Sequence, residues 1–212
     1  AEGPQGFEYE LLAGFADYLG VTLDLYPFYS YEVMLEQLEE GNLDIVATGD
    51  AVTPSLKSRF AYGPAYQHVQ QELVFQAGTS RPRDLLELDA PIVTVAGSSQ
   101  AHLLSSLLGQ VTDQASDSES PIIKTQLVTT EDSDSEELLQ QVANGDIAYT
   151  VADSNRLALQ RRRYPNLAVA KTLNEDMPMA WALPLHQDDS VKAALIEYFG
   201  TCLLYTSPSP RD

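Results

Sequence analysis

Twice along this chain a helical pattern of apolar residues stops at a glycine and leads, within three residues, into Asp-Ile and a short apolar stretch. LEQLEEGNLDIVATGD covers residues 35 to 50, and LLQQVANGDIAYTVAD covers residues 138 to 153. Each reads as helix, glycine stop, buried strand and terminal aspartate, and the two align with one gap. The match is either a short repeat or a common helix-to-strand idiom; what it shares with the rest of the chain, strands alternating with helices at these lengths, indicates an α/β protein.

The same alternation extends along the chain. FEYELLAGFADYL (7 to 19) has helical spacing with Gly20 as its stop, and YEVMLEQLEEGN has a second helical stripe ending at Gly41. VTLDLYPF and DIVAT read as strands, GDAVTPSLKSRFAYGPAY as an irregular connection, and QQELVFQ as a strand. GTSRPR (78 to 83) reads as a hinge or linker, because small polar residues are followed by proline. Beyond it come a short helix DLLEL, strand PIVTVAG, helix SSQAHLLSSLL and an acidic surface loop TDQASDSES. TEDSDSEE leads into the N-terminus of helix SEELLQQVANG, and strand DIAYTVA follows. Helix SNRLALQRRRYP is ended by Pro165 and carries Arg161, Arg162 and Arg163; strands LAVAKTL and MAWALPL and helix DDSVKAALIEYF complete the pattern. The expectation is an α/β fold with largely parallel sheets in two lobes.

Composition then narrows the function. The 31 acidic side chains against 12 basic ones give a formal charge of −19, which repels polyanions and argues against nucleic acid as a partner. No stretch approaches the about 18 consecutive apolar residues that read as a membrane-spanning helix. A single cysteine, Cys202, excludes an internal disulfide framework and a multi-cysteine metal site. Enzyme signatures are absent as well. There is no Gly-x-Ser-x-Gly elbow, no GxGxxG and no phosphate loop, and His68, His102 and His186 are scattered without metal-ligand spacing. No catalytic residue, cofactor or metal is expected.

Two places carry candidate binding chemistry. Asp153 ends the strand DIAYTVA, and ligands of open α/β sheets bind outside the carboxyl ends of the strands, where a carboxylate can meet an ammonium group. The alternative is that Asp153 caps the helix opening at Ser154. Gly97-Ser98-Ser99 follows a strand and opens a helix, so its backbone amides could receive an anion, or Ser98 and Ser99 could be simple caps. An ammonium-binding acid together with an anion-binding turn would suit a zwitterion. Tyr66, Tyr9 and Phe7 are either pocket aromatics or core.

The stretches GFEYELLAGFADYLGV, LEEGNLDIVATGDAVTPSLKSRFAYGPAY, VAGSSQ and ANGDIAYTVADS, in that order, resemble the family 3 extracellular solute-binding domains. GFEYEL, GPAYQHVQQELVF, RPRDLLEL, AGSSQ, YTVADS, YPNLAVA and MPMAWALP bring the chain nearer to the amino-terminal regulatory domains of membrane-bound lytic murein transglycosylases. The resemblance implies a two-lobed, type II periplasmic-binding-protein-like α/β fold with a hinge. Lobe one would hold residues 1–80 plus 174–199, lacking an expected first strand, and lobe two 81–173; 200–212 would be a non-native tail. It also implies a periplasmic module, tethered to the outer membrane through its parent protein, that binds a small peptide or amino-acid-like ligand in an inter-lobe cleft and closes on it. A catalytic domain would follow in the parent, so this chain would not itself be an enzyme. The rival is a plain amino-acid-binding protein of a transporter, or a receptor input domain.

By this resemblance Asp153 meets the ligand ammonium, and Gly97, Ser98 and Ser99 form the carboxylate-binding turn. Thr48, Gly49, Asp50 and Ala51 form a first-lobe loop touching ligand mainly through backbone, and Thr53 opens the family's Thr-x-x-Arg motif. The motif's arginine, which forks onto the ligand carboxylate, falls on Leu56, and Arg59 three residues later reads as a surface residue.

Overall fold

A computed structural model describes residues 6–83, 85, 88–114, 125–186 and 189–206. The chain divides into two compact units. Unit 1 takes residues 1–28, 33–68 and 178–212; unit 2 takes 29–32 and 69–177. The changeovers at His68 to Val69 and Met177 to Pro178 fall inside two short strands, β2 (Gln67–Val69) and β8 (Met177–Met179), which pair with each other.

Unit 1 is built on helices α1 (Phe7–Leu19), α2 (Tyr31–Glu39), α3 (Pro54–Lys57) and α7 (Ser190–Thr206), with β1 (Phe60–Tyr62) antiparallel to β9 (Ala182–Pro184). The first two residues of α2 group with unit 2. Helix α1 ends as the sequence predicts: Gly20 takes the left-handed conformation at φ 68°, and its N–H bonds back to Ala16 and Asp17. The core of unit 1 is an aromatic cluster of Phe15, Trp181, Tyr198 and Phe199 with Leu183 and Leu195. The ring pair Trp181 and Phe199 meets edge to face at 5.1 Å, and Phe15 lies 5.4 Å from Tyr198.

Unit 2 holds a five-stranded sheet in the order β5-β4-β6-β3-β7. Strands β4 (Ile92–Val95), β5 (Leu127–Thr130) and β6 (Tyr149–Asp153) are parallel, whereas β3 (Gln71–Gln76) runs antiparallel to both β6 and β7 (Leu167–Thr172). Leu73, Phe75, Ile92, Tyr149 and Val151 share one core with Leu104 of α4 (Ser99–Gln114). On the other face Val74 and Ala152 pack with Leu139 and Val142 of α5 (Ser135–Asn144) and Leu157 of α6 (Ser154–Gln160). Asp134 opens α5 with a complete capping box: its Oδ1 accepts from the amides of Glu136 and Glu137, and Glu137 reaches back to the Asp134 amide.

Several expectations are corrected. The stretch VTLDLYPF forms no strand, and Val21, Leu25 and Tyr26 stand exposed; alternation is only a local signal, and a strand needs a neighbour to satisfy its backbone. DIVAT is reduced to one bridge between Val46 and Ala182. QQELVFQ, assigned by sequence to the first lobe, is β3 in the sheet of unit 2, held there by strands on both sides. Helix α6 ends at Gln160, so Arg161, Arg162 and Arg163 lie in turns. Most of DLLEL and of TDQASDSES lies outside the described residues, as do 207–212.

Candidate functional site

The β-sheet face that carries the unit 2 core turns polar at one end. In β6 the side chains of Tyr149 and Val151 enter that core, so Asp153, two residues on, continues the same face at the carboxyl end of the strand. In β3 the antiparallel register sets Gln71 opposite Asp153, again two residues from a core side chain, Leu73. Helix α4 covers this face, with Leu104 in the core, and begins at Ser99. Gln71 joins the three elements: its Nε2 donates to Ser99 Oγ at 2.9 Å and to Asp153 Oδ1 at 3.3 Å. Gln71, Ser99 and Asp153 are each 0% exposed.

Water does not solvate these groups, so each depends on its partners. The main chain of Gln71 is also fixed, its N–H donating to Asn174 Oδ1 at 2.6 Å and its carbonyl accepting from the Leu173 amide at 2.8 Å. Two buried acceptors on this face, Gln71 Oε1 and Thr94 Oγ1, have no hydrogen-bond partner. Native interiors rarely leave such groups unmatched, and a polar ligand is one reason they do.

Asp153 stands at the N-cap position of α6, but its side chain makes no capping bond. Of the two roles open to it from sequence, the helix cap is therefore not the one it fills. At the other strand end, Gly97 turns with φ 71°, a conformation that favours glycine. Ser98 is the cap of α4: its Oγ accepts from the Ala101 amide at 3.2 Å and donates to the Val95 carbonyl at 2.7 Å. The structure thus brings Asp153 and Ser99 together in unit 2 and places Gly97 and Ser98 in the adjoining turn.

The remaining assigned residues lie in unit 1. Gly49 has φ 68°, and a Cβ there would stand 2.9 Å from Glu8 Oε1. That carboxylate is held by Tyr66 Oη, donating at 2.6 Å, and by Trp181 Nε1, donating at 2.7 Å. Tyr66 stacks on Phe199 at 5.6 Å, so the tyrosine is tied into the aromatic core. Ala51 makes a bridge to Met179. Burial pushes the Tyr62 hydroxyl up to about 12, with the Asp50 carboxylate adding to the rise and Arg59 opposing it. Thr53 caps α3, its Oγ1 accepting from the Leu56 amide at 3.3 Å. Leu56 is 2% exposed, so the place of the motif's arginine points into the unit 1 interior. Arg59 forks onto Glu39, Nε to Oε1 at 2.7 Å and Nη2 to Oε2 at 3.0 Å. The two line a groove of about 570 Å³ with Asp44 and His186, and none of the assigned residues lines it.

Among the described residues no group of three or more His, Cys, Asp or Glu is placed to hold a metal ion, and no helix is long and apolar enough to cross a membrane. Gln71 is the residue that sequence reasoning missed. Its signal was slight, since β3 reads QELVFQ and Gln71 is one of three polar residues in it.

Comparison with known proteins bears on the fold and the family. Solved structures share the fold at low sequence identity. An ancestral amino-acid-binding protein, AncCDT-1, described as a precursor of cyclohexadienyl dehydratase, superposes with TM-score 0.75 at 18% identity, over 94% of this chain and 80% of its own. The arginine-, lysine-, histidine-binding protein ArtJ of Geobacillus stearothermophilus gives 0.73 at 16% identity, over 94% and 80%. Sequence relatives include the membrane-bound lytic murein transglycosylase F of Alteromonas mediterranea, 85% identical over 201 residues, which are 95% of this chain and 42% of that protein. The namesake from Pseudoalteromonas translucida is 38% identical over 199 residues, 94% of this chain and 40% of the relative. The chain therefore spans about two-fifths of the length of these relatives. The profile of the bacterial extracellular solute-binding proteins, family 3, matches residues 1–161, and the chain belongs to that family.

Proposed function

We propose that this chain is the ligand-binding regulatory part of a peptidoglycan lytic transglycosylase, and that it binds a muropeptide or amino-acid-like ligand. The observation that carries the binding half of this reading is the fully buried Asp153 carboxylate beside Ser99 at the start of α4. A buried carboxylate favours a cationic group, and the amides at a helix N-terminus favour an anionic one. The regulatory half is supported by the transglycosylase F relatives, which extend well beyond the length of this chain. In such a protein the periplasm would be the compartment, the outer membrane the anchor and a catalytic domain the partner. Ligand-favoured closure of a two-lobed binding fold would be the signal it receives.

The ligand carboxylate would be held without the arginine fork of the family motif, because Leu56 is buried and Arg59 is engaged by Glu39. Backbone amides and Ser99 are left as its donors. Asp153→Ala is expected to weaken binding of a stem peptide by about 1.5–3 kcal/mol, the worth of a charge-assisted hydrogen bond. Isothermal calorimetry on the folded variant checks this, and unchanged affinity removes Asp153 from the site. A second reading, an amino-acid-binding protein of a transporter, is favoured by the structural neighbours. A free amino acid binding more tightly than any stem peptide would select it.

A further inference from the structure

Charge is segregated along this chain. Residues 73–83 and 154–174 contain no aspartate or glutamate, although 31 of the 212 residues are acidic. The same two segments hold seven of the 12 basic side chains. Arg81 and Arg83 belong to the first, and Arg156, the run Arg161 to Arg163 and Lys171 to the second. The fold of unit 2 brings the two segments together along one strand. β7 pairs with β3 and has no strand on its other side, so it is an edge of the sheet. Its Leu167 carbonyl accepts from Arg161 Nε at 2.9 Å, and its Ala170 carbonyl accepts from Arg81 Nη2 at 2.9 Å. Each of these bonds uses one of the five N–H donors of a guanidinium.

Lys171 follows on the same strand and is exposed, as are Arg161, Arg162 and Arg163. The turn after α6 closes with the Arg162 amide on the Leu159 carbonyl at 3.2 Å, which sets the arginine run beside Leu159, 62% exposed. Arg163 lies over the ring of Tyr164 at 5.4 Å. Glu72, which pairs with Thr172, is only partly exposed, and Arg161 offsets its charge. One or two charges are enough to keep a foreign strand off an open sheet edge. A strip from which every acid is missing goes beyond that need.

We propose that the β7 edge of unit 2, with the turn after α6, docks on an anionic phospholipid surface. The inference rests on the outer-membrane anchor of the reading given above and adds to it the face that lies on the bilayer. Arginine and lysine meet lipid phosphates, and Leu159 and Tyr164 supply apolar area at the depth of the headgroups. The formal charge of −19 does not prevent this. Charges are screened over about 8 Å at physiological ionic strength, so a surface in contact with the β7 edge meets the local cations and not the distant acids. A tether to the same membrane holds the chain at high effective concentration, so a weak electrostatic contact suffices to orient it.

The test is flotation of the chain with phosphatidylcholine vesicles containing about 30 mol% phosphatidylglycerol, against vesicles of phosphatidylcholine alone. Binding to the anionic vesicles is expected to exceed binding to the neutral ones about fivefold or more at about 0.05 M salt, and to vanish at about 1 M. Arg162→Glu with Lys171→Glu should lower it about tenfold. Lys57→Glu with Lys192→Glu changes the net charge by the same amount in unit 1 and should lower it less than twofold. If the first pair loses its cooperative thermal transition, Arg162→Gln with Lys171→Gln takes its place. Equal loss in both pairs assigns the effect to net charge and overturns the proposal. So does equal binding to the two kinds of vesicle, or tighter retention on purified peptidoglycan sacculi than on anionic vesicles. Stem-peptide calorimetry on Arg162→Glu with Lys171→Glu should match the unaltered chain. Absence of vesicle binding with stem-peptide binding intact overturns this proposal alone, whereas absence of stem-peptide binding in the unaltered chain overturns the ligand reading and leaves the vesicle result to stand.

Discussion

Leu56 shows how one residue changes what a binding motif can do. It stands where the family motif has an arginine, but the turn capped by Thr53 sends its side chain into the unit 1 interior at 2% exposure. An apolar side chain there adds to the core, and a guanidinium would be buried without a carboxylate partner. Leu56→Arg is therefore expected to lower stability rather than to restore ligand binding. Leu56→Ala should cost about 2–5 kcal/mol through lost burial and the cavity left behind. For a chain of this size that is a fall in melting temperature of roughly 5–15 °C, measurable by differential scanning calorimetry. An arginine variant as stable as the parent would show that position 56 faces solvent or ligand instead.

Among the elements, α5 and β6 were the most legible from sequence. The acidic run before SEELLQQVANG supplied the cap Asp134, Gly145 takes the left-handed C-cap at φ 83°, and β6, Tyr149–Asp153, is buried along its whole length. Asp134→Ala should destabilise unit 2 by about 1 kcal/mol by removing a cap that satisfies two amides, read as a shift in urea midpoint at constant slope. Gln71 was not legible, although it ties the candidate site together. Its neighbours Gln70 and Glu72 make it look like one more solvent-facing polar residue, and its partners lie at Ser99 and Asp153. Nothing local distinguishes a buried glutamine from an exposed one; the register of β3 on β6 decides it. VTLDLYPF failed in the opposite direction, because its alternation was read without knowing whether a neighbouring strand was there to pair with it.

At the scale of the whole molecule, the balance of charge and the buried phenols set the response to solution conditions. With a formal charge of −19, self-repulsion is considerable at low ionic strength, and added sodium chloride should raise the melting temperature by screening it. In alkali the tyrosines matter. Burial pushes both Tyr62 and Tyr149 up to about 12, helped for Tyr149 by its hydrogen bond to Asp89. Unfolded tyrosine loses its proton near about pH 10, so between the two values the folded chain binds more protons than the unfolded one. This contribution is complete below about pH 10 and is lost as pH rises toward 12. Tyr149→Phe should flatten part of that decline in a series of thermal melts, and an unchanged slope would show that Tyr149 titrates normally. The antiparallel strand β3 has one more consequence, for synthesis on the ribosome. Its LVF core leaves the exit tunnel early, but Glu72 must wait for Thr172 on one edge and for Ala152 on the other. Until then a nascent chain carries an apolar strand with two open edges, so the C-terminal half of unit 2 acts as a release condition for the N-terminal half, and a ribosome stalled before β7 would present a natural client for a holdase chaperone.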